Sequence, residues 1–173
     1  MILEKYLMPD LVLPTFDKLT PEMLARHGIK LLVCDVDNTL ATYEQPDPPD
    51  AVVKWIGELR KRDIAVAFVS NNEPARLERF NKPLGCLTYS GAKKPSPKCI
   101  VKAAHDAGVS LGDTALLGDQ LLTDACAAKR AGIPAVIVPP IKDKTTPFFR
   151  AKRLIERPYM RKYRRVCGDK TDF

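Results

Sequence analysis

No stretch of the 173-residue sequence is long and apolar enough to span a bilayer. Its longest apolar runs, such as Ala135 to Val138, fall far short of the roughly 20 residues a transmembrane helix needs. A secretory leader is missing too. Glu4 and Lys5 interrupt the first apolar stretch, Pro9-Asp10 ends it, and no small-residue cleavage site follows. The expectation is a cytoplasmic protein, able at most to touch the inner face of a membrane. The cysteines Cys34, Cys86, Cys99, Cys126 and Cys167 are odd in number and contain no C-x-x-C pair. The only two histidines, His27 and His105, sit near no cysteine pair. That spacing excludes a zinc site. It leaves the cysteines as reduced, small apolar residues and the histidines as surface positions on helices. Internal repeats and low-complexity tracts are absent, and no linker divides the chain before about Pro140.

What is there suits one soluble globular domain, with 45% hydrophobic and 28% charged residues. The fifteen prolines fall mostly at segment boundaries. Charge is unevenly placed. From Lys142 to the end the chain carries eleven Lys or Arg against four Asp or Glu, while residues 1–141 hold seventeen of each. A neutral body with a basic tail implies that the tail meets something anionic: a membrane surface, nucleic acid or an acidic partner.

Periodicity divides the chain into three parts. Residues 1–27 read as an arm without strong periodicity, followed by a short helix capped by Thr20 with Pro21 at its first position. From 28 to 141, apolar strands alternate with amphipathic helices. Strands are expected at 29–34, 64–69, 86–89, 114–117 and 135–138, and helices at 51–62, 74–80, 97–107 and 121–131. Such alternation predicts a parallel sheet with helices on both faces. Residues 142–173 form the basic tail, expected to be helical. Phe148, Ala151, Leu154 and Ile155 lie on one arc of that helix, and Arg150, Arg153 and Arg157 on another.

In an open parallel sheet, ligands bind beyond the carboxyl ends of the strands, and there the polar residues collect. The first predicted strand ends in Asp35-Val36-Asp37, the second in Ser70-Asn71-Asn72, and the fourth in Gly118-Asp119, with Asp124 five residues on; the loop after the third carries Lys93-Lys94-Pro95. Clustered carboxylates repel one another and are costly to desolvate, so they imply a bound cation. Oxygen ligands in small number fit Mg²⁺. A carboxylate can attack phosphorus once the phosphate charge is offset by a cation and a lysine. A second carboxyl two residues along a strand begins on the same side and can serve as acid and base. Ser70 and the amides near Asn71 can hold phosphate oxygens at a helix N-terminus.

These residues resemble the four motifs of the haloacid dehalogenase superfamily, phosphatase subfamily IIIA. The segment Asp35-Val36-Asp37-Asn38-Thr39-Leu40 is similar to the first, Ser70 to the second, Lys94 before Pro95 to the third, and Gly118 through Asp124 to the fourth. The resemblance covers roughly residues 28–140 and implies a Rossmann-like three-layer α/β sandwich. It implies Asp35 as nucleophile and Asp37 as acid/base. Ser70, Asn71 and Lys94 are implied around the phosphate, and Mg²⁺ on Asp35, Asp37 and Asp119, with Asp124 as second choice. Further likeness, through Met8-Pro9-Asp10, Gly28-Ile29-Lys30, Ser70-Asn71-Asn72 and Lys93-Lys94-Pro95, is to the YqeG family, whose relatives include phosphatidylglycerophosphate phosphatases. The intervals from Asp35 to Ser70 and from Ser70 to Lys94 are too short to hold a cap domain. An open site suits a bulky phosphorylated substrate: a lipid head group at a membrane, a protein or a nucleic acid, with a sugar or nucleotide phosphate as the alternative.

Two rival readings follow from the same residues. The tail can dock on the domain or lie on a membrane, and Arg161-Lys162-Tyr163-Arg164-Arg165 also suits RNA. A receiver-type signalling domain would place an acid at the end of its third strand, and Cys86 to Tyr89 has none.

Overall fold

The structure, a computed structural model, describes residues 2–142, 146–168 and 170–173, and omits the side chains of Ile2, Phe148 and Phe149. In chain order the elements are α1 (Ile2–Leu7), β1 (Leu11–Val12), α2 (Pro21–Arg26), β2 (Leu31–Cys34), α3 (Asp50–Arg60), β3 (Ala65–Val69), α4 (Pro74–Asn81) and β4 (Leu87–Tyr89). They continue with α5 (Lys98–Asp106), β5 (Thr114–Gly118), a π-helical turn (Leu121–Ala125), α6 (Cys126–Ala131), β6 (Ala135–Ile137) and α7 (Pro147–Cys167).

The strands form one six-stranded sheet in the order β1-β6-β5-β2-β3-β4, and every pairing is parallel. Apolar residues alternate between its two faces, as the two-residue repeat of a strand requires. Leu32, Cys34, Val66, Phe68, Leu117 and Val136 pack under α2, α3 and α4, against Leu24, Trp55, Leu59 and Phe80. Leu31, Val33, Ala67, Val69, Leu116 and Ile137 face α1, α5, α6 and part of α7. The result is a three-layer α/β sandwich. Residues 35–94 are described throughout and hold only α3, β3, α4, β4 and their loops, so no cap domain is inserted there.

Helix boundaries follow local chemistry. Thr20 caps α2, its hydroxyl accepting from Met23 N at 3.2 Å, with Pro21 at the first position. The α3 stripe Val52, Trp55, Ile56 and Leu59 is buried, and the Trp55 Nε1–H donates to Leu19 O at 2.9 Å. The segment expected as one helix over 121–131 begins instead with the π turn. There Asp124 N and Ala125 N both donate to Gln120 O, a widened winding often found at functional sites.

One expectation is corrected, and of two alternatives for the tail's apolar arc one is set aside. The arm is not outside the sheet: β1 pairs with β6, Leu11 opposite Val136, which gives six strands where periodicity indicates five. Two residues are too short a run for alternation to register. In the tail helix the apolar arc, expected either to dock on the domain or to lie on a membrane, is turned away from the domain. Leu154 and Ile155 are 63% and 54% exposed, and Ala151 is exposed with them; the Phe148 side chain lies outside those described. The face turned to the domain carries Arg153, Glu156, Tyr159, Met160 and Tyr163. Glu156 and Tyr163 are buried, and the Tyr163 hydroxyl accepts from Val12 N at 3.1 Å. Polar bonds, not an apolar stripe, fix the docking face of α7.

Candidate active site

Strand order reverses between β2 and β5: from β2 the chain steps to β3 and β4 on one side, while β5 and β6 lie on the other. That is the crevice where parallel sheets bind ligands. Asp35 follows the last residue of β2, its N–H donating to Leu117 O at 2.9 Å. The chain then doubles back through Asn38, at φ +69°, a left-handed conformation that asparagine tolerates better than most residues. Asn38 N donates to Ala41 O at 2.7 Å and closes the loop. Its geometry lets the Thr39 hydroxyl reach back to Asp35 Oδ2 at 3.1 Å.

Lys94 supplies the other partner of Asp35. Its Nζ lies 2.5 Å from Asp35 Oδ1 and 2.7 Å from Asp124 Oδ1, with the side chain almost wholly buried. Adjacent Lys93 is exposed and takes a left-handed φ of +54°, so the bend there turns Lys94 inward. Asn71 braces the bend: its Nδ2 donates to Lys94 O at 3.2 Å and its Oδ1 accepts from Lys94 N at 2.7 Å. Both polar ends of the Asn71 side chain are thus committed to the main chain of Lys94. Ser70, buried at the end of β3, accepts on Oγ from Asn72 N at 3.1 Å.

Asp37 is held apart from this group. Asn72 Nδ2 donates to its Oδ2, and the Arg76 guanidinium approaches its Oδ1 at 3.2 and 3.3 Å. The two acids of the first motif therefore have separate partners, Lys94 and Thr39 for Asp35, Arg76 and Asn72 for Asp37.

At the end of β5, Gly118 permits a close approach. A Cβ there would lie 2.4 Å from Asp124 Cβ and Cγ. Asp124 turns back under the loop, and its Oδ2 accepts from Asp119 N at 3.3 Å and Gln120 N at 3.0 Å. Asp119 is met from the far side by α7: Arg153 NH2 donates to its Oδ2 at 2.7 Å and Arg153 NH1 to its carbonyl at 2.9 Å.

Asp35, Asp119 and Asp124 each place a carboxylate oxygen within 4.8 Å of the others, and all three are buried. Burial pushes the Asp35 carboxyl up to about 6, Lys94 opposing and Asp124 and Asp37 adding to the rise. Burial, with the charges of Asp124 and Asp35, pushes Asp119 up to about 8 against the pull of Arg153. Burial also acts to lower the Lys94 ammonium, but the charges of Asp124 and Asp35 outweigh it and hold Lys94 above its ordinary value. Three buried carboxylates share two basic partners. A further cation with oxygen preference fits that donor set.

Asp35, Asp37, Ser70, Asn71 and Lys94 line one cleft of about 190 Å³, together with Tyr43, Asn72, Gln120, Thr123 and Lys152. Sequence reasoning did not single out Asn72, Arg76, Tyr43, Gln120, Thr123, Lys152, Arg153 or Glu156 as site residues. One signal was available: Glu156 is the sole acid in the α7 sequence, and a lone acid in a basic helix marks an internal ionic partner.

Residues 21–132 match the profile of haloacid dehalogenase-like hydrolases. The chain belongs to this family. Probable phosphatase YqeG of Bacillus subtilis is 31% identical to this phosphatase over 156 residues, covering 90% of this chain and 91% of that protein. Among solved structures, the cobalt-bound deoxy-D-mannose-octulosonate 8-phosphate phosphatase of Haemophilus influenzae covers 79% of the phosphatase and 91% of its own chain, at 22% identity and a TM-score of 0.51. The Moraxella catarrhalis 3-deoxy-D-manno-octulosonate 8-phosphate phosphatase, in complex with magnesium, phosphate and KDO, covers 81% and 91% at 19% identity, with a TM-score of 0.50. These two structures are similar to the phosphatase in fold.

Proposed function

We propose that this phosphatase hydrolyses a phosphomonoester through an aspartyl-phosphate on Asp35, and that its substrate is the membrane lipid phosphatidylglycerophosphate. The observation that carries the chemistry is the division of partners between Asp35 and Asp37. Asp35 Oδ1, 2.5 Å from Lys94 Nζ, attacks phosphorus while Lys94 offsets negative charge on the phosphoryl oxygens. Asp37, fixed at the same cleft by Asn72 and Arg76, protonates the leaving oxygen and then takes a proton from the attacking water. The Ser70 hydroxyl and the main chain at Asn71 hold phosphate oxygens, since the Asn71 side chain is committed to Lys94. Asp35, the Asp37 carbonyl and Asp119 would hold Mg²⁺, with Asp124 as brace of the loop and second choice. Bound there, the ion supplies positive charge against the phosphate oxygens. Asp35→Asn should abolish turnover of a generic phosphomonoester; full cation-dependent turnover by that variant would refute the mechanism.

The lipid assignment rests on the YqeG likeness, the open cleft and the outer face of α7. That face presents Leu154, Ile155 and Val166 exposed beside Arg150, Arg157, Arg161, Arg164 and Arg165. Its one acid, Glu156, is buried. Apolar and basic residues without acids on the exposed side of one helix suit an anionic bilayer surface. No helix among the described residues is long and apolar enough to cross a membrane, so contact would be peripheral. Sedimentation with anionic vesicles should be lost in Leu154→Glu/Ile155→Glu. Hydrolysis of soluble phosphomonoesters with none of phosphatidylglycerophosphate would sink the lipid assignment.

A further inference from the structure

We infer that Arg153 is a positioning residue for the cation site: α7 reaches over the sheet to set the Asp119 carboxylate, and Glu156 sets Arg153. The inference rests on the reading of Asp119 as a cation ligand. One guanidinium makes three bonds here. Its NH2 holds Asp119 Oδ2 at 2.7 Å, and its NH1 is shared between the Asp119 carbonyl at 2.9 Å and Glu156 Oε2 at 3.0 Å. Glu156 is 3% exposed and its other oxygen accepts from Leu122 N at 3.1 Å. The helix thus grips the 119–122 loop at Asp119 and Leu122, with a longer contact from Lys152 Nζ to Gln120 Oε1 at 3.4 Å, while Asp124 grips it from beneath through Asp119 N and Gln120 N.

With Oδ2 committed to Arg153, the oxygen left to face the acid cluster is Oδ1, whose protein contact is a weak one, Gln120 Nε2 at 3.5 Å. A carboxylate tethered by one oxygen presents the other in a fixed direction. Partners that orient a ligand in this way change metal affinity about 10–100-fold when removed. The planar fork matters, because its donors are fixed in direction and spread over two nitrogens, whereas the three donors of an ammonium sit on one nitrogen that rotates at the end of a flexible stem. A different role would have Arg153 standing in for the cation and competing with it. The carbonyl and Glu156 bonds argue against that, since they anchor the guanidinium independently of the Asp119 carboxylate.

The experiment is titration of the full chain with Mg²⁺, read both as heat of binding and as the Mg²⁺ concentration giving half-maximal hydrolysis of p-nitrophenyl phosphate. Arg153→Ala should weaken both constants by about 10-fold or more, with kcat largely recovered at saturating Mg²⁺ and substrate KM little changed. Arg153→Lys should fall between, and Glu156→Gln should weaken Mg²⁺ in the same direction. Lys54→Ala, which removes an equal charge from the exposed side of α3, should leave the Mg²⁺ constants at the wild-type value. Unchanged or tighter Mg²⁺ binding by Arg153→Ala, or a loss confined to substrate KM, would overturn the inference. Should Arg153→Ala fail to fold, wild-type Mg²⁺ constants in Arg153→Lys and Glu156→Gln would overturn it equally. Asp119→Asn separates the two levels. If it binds Mg²⁺ like the wild type, the reading of the site fails and the inference with it; if it loses binding while Arg153→Ala does not, the inference alone fails.

Discussion

Single atoms decide much of this site. Gly118 is required by the carboxyl behind it, because any Cβ would meet Asp124 at 2.4 Å. Gly118→Ala must displace Asp124 or the strand end. Overpacking of this kind costs about 1–3 kcal/mol, so the variant should melt earlier and lose phosphatase activity together. A denaturant midpoint equal to the wild type's would contradict this. Lys94 illustrates another residue-scale economy: one ammonium neutralises the proposed nucleophile and the brace of the neighbouring loop at once. The placement of Asp35, Ser70 and Asp119 at strand ends was legible in the sequence because each closes an apolar run, while Lys94 stood out only as a loop lysine before Pro95. The partners of Asp37 were not legible. Arg76 and Asp37 are separated by 39 positions, and nothing in either neighbourhood specifies that they meet.

At the scale of elements, the buried strands and their helices could be read because burial leaves a period in the sequence. Strand β1 and the docking face of α7 could not. The first is two residues long, and the second is defined by polar groups whose partners lie far along the chain. Tyr163 and Val12 are 151 positions apart. Their bond joins the last helix to the edge strand and satisfies an N–H that edge position leaves over. Tyr163→Phe should therefore cost about 0.5–1.5 kcal/mol, the typical net worth of one hydrogen bond. The check is chemical denaturation, and a cost below about 0.5 kcal/mol would show that water replaces the hydroxyl. Hydropathy alone left the arc of Leu154 and Ile155 on α7 able to face the domain or a membrane, whereas the ion pairs of Arg153 and Glu156 turn it outward.

For the whole molecule, the surplus charge and the buried acids act in opposite places. The basic excess lies largely on the outer side of α7, and the acids converge under its inner side. Asp35 and Asp119 bind protons more tightly when folded than the ordinary carboxylate value of 3.8. The folded state thus holds protons that the unfolded chain has already released. Their contribution to stability is fully present below about pH 4 and is lost as pH rises through about 6 for Asp35 and about 8 for Asp119. Between pH 5 and pH 8 the cation-free protein should lose melting temperature. The proposed Mg²⁺ site would take the ion on deprotonated carboxylates, so the gain in melting temperature on adding it should be larger at pH 8 than at pH 5. Calorimetry at the two pH values, with EDTA or with Mg²⁺, tests this; an equal gain at both would contradict it.

The reach of α7 across the sheet also has a consequence in time. A ribosome delivers Asp35, Ser70, Lys94 and Asp119 in order, and a sheet from β1 to β6 can assemble behind them. Arg153 is made only after the last of those strands. The tether on Asp119 is therefore the last part of the site to be synthesised.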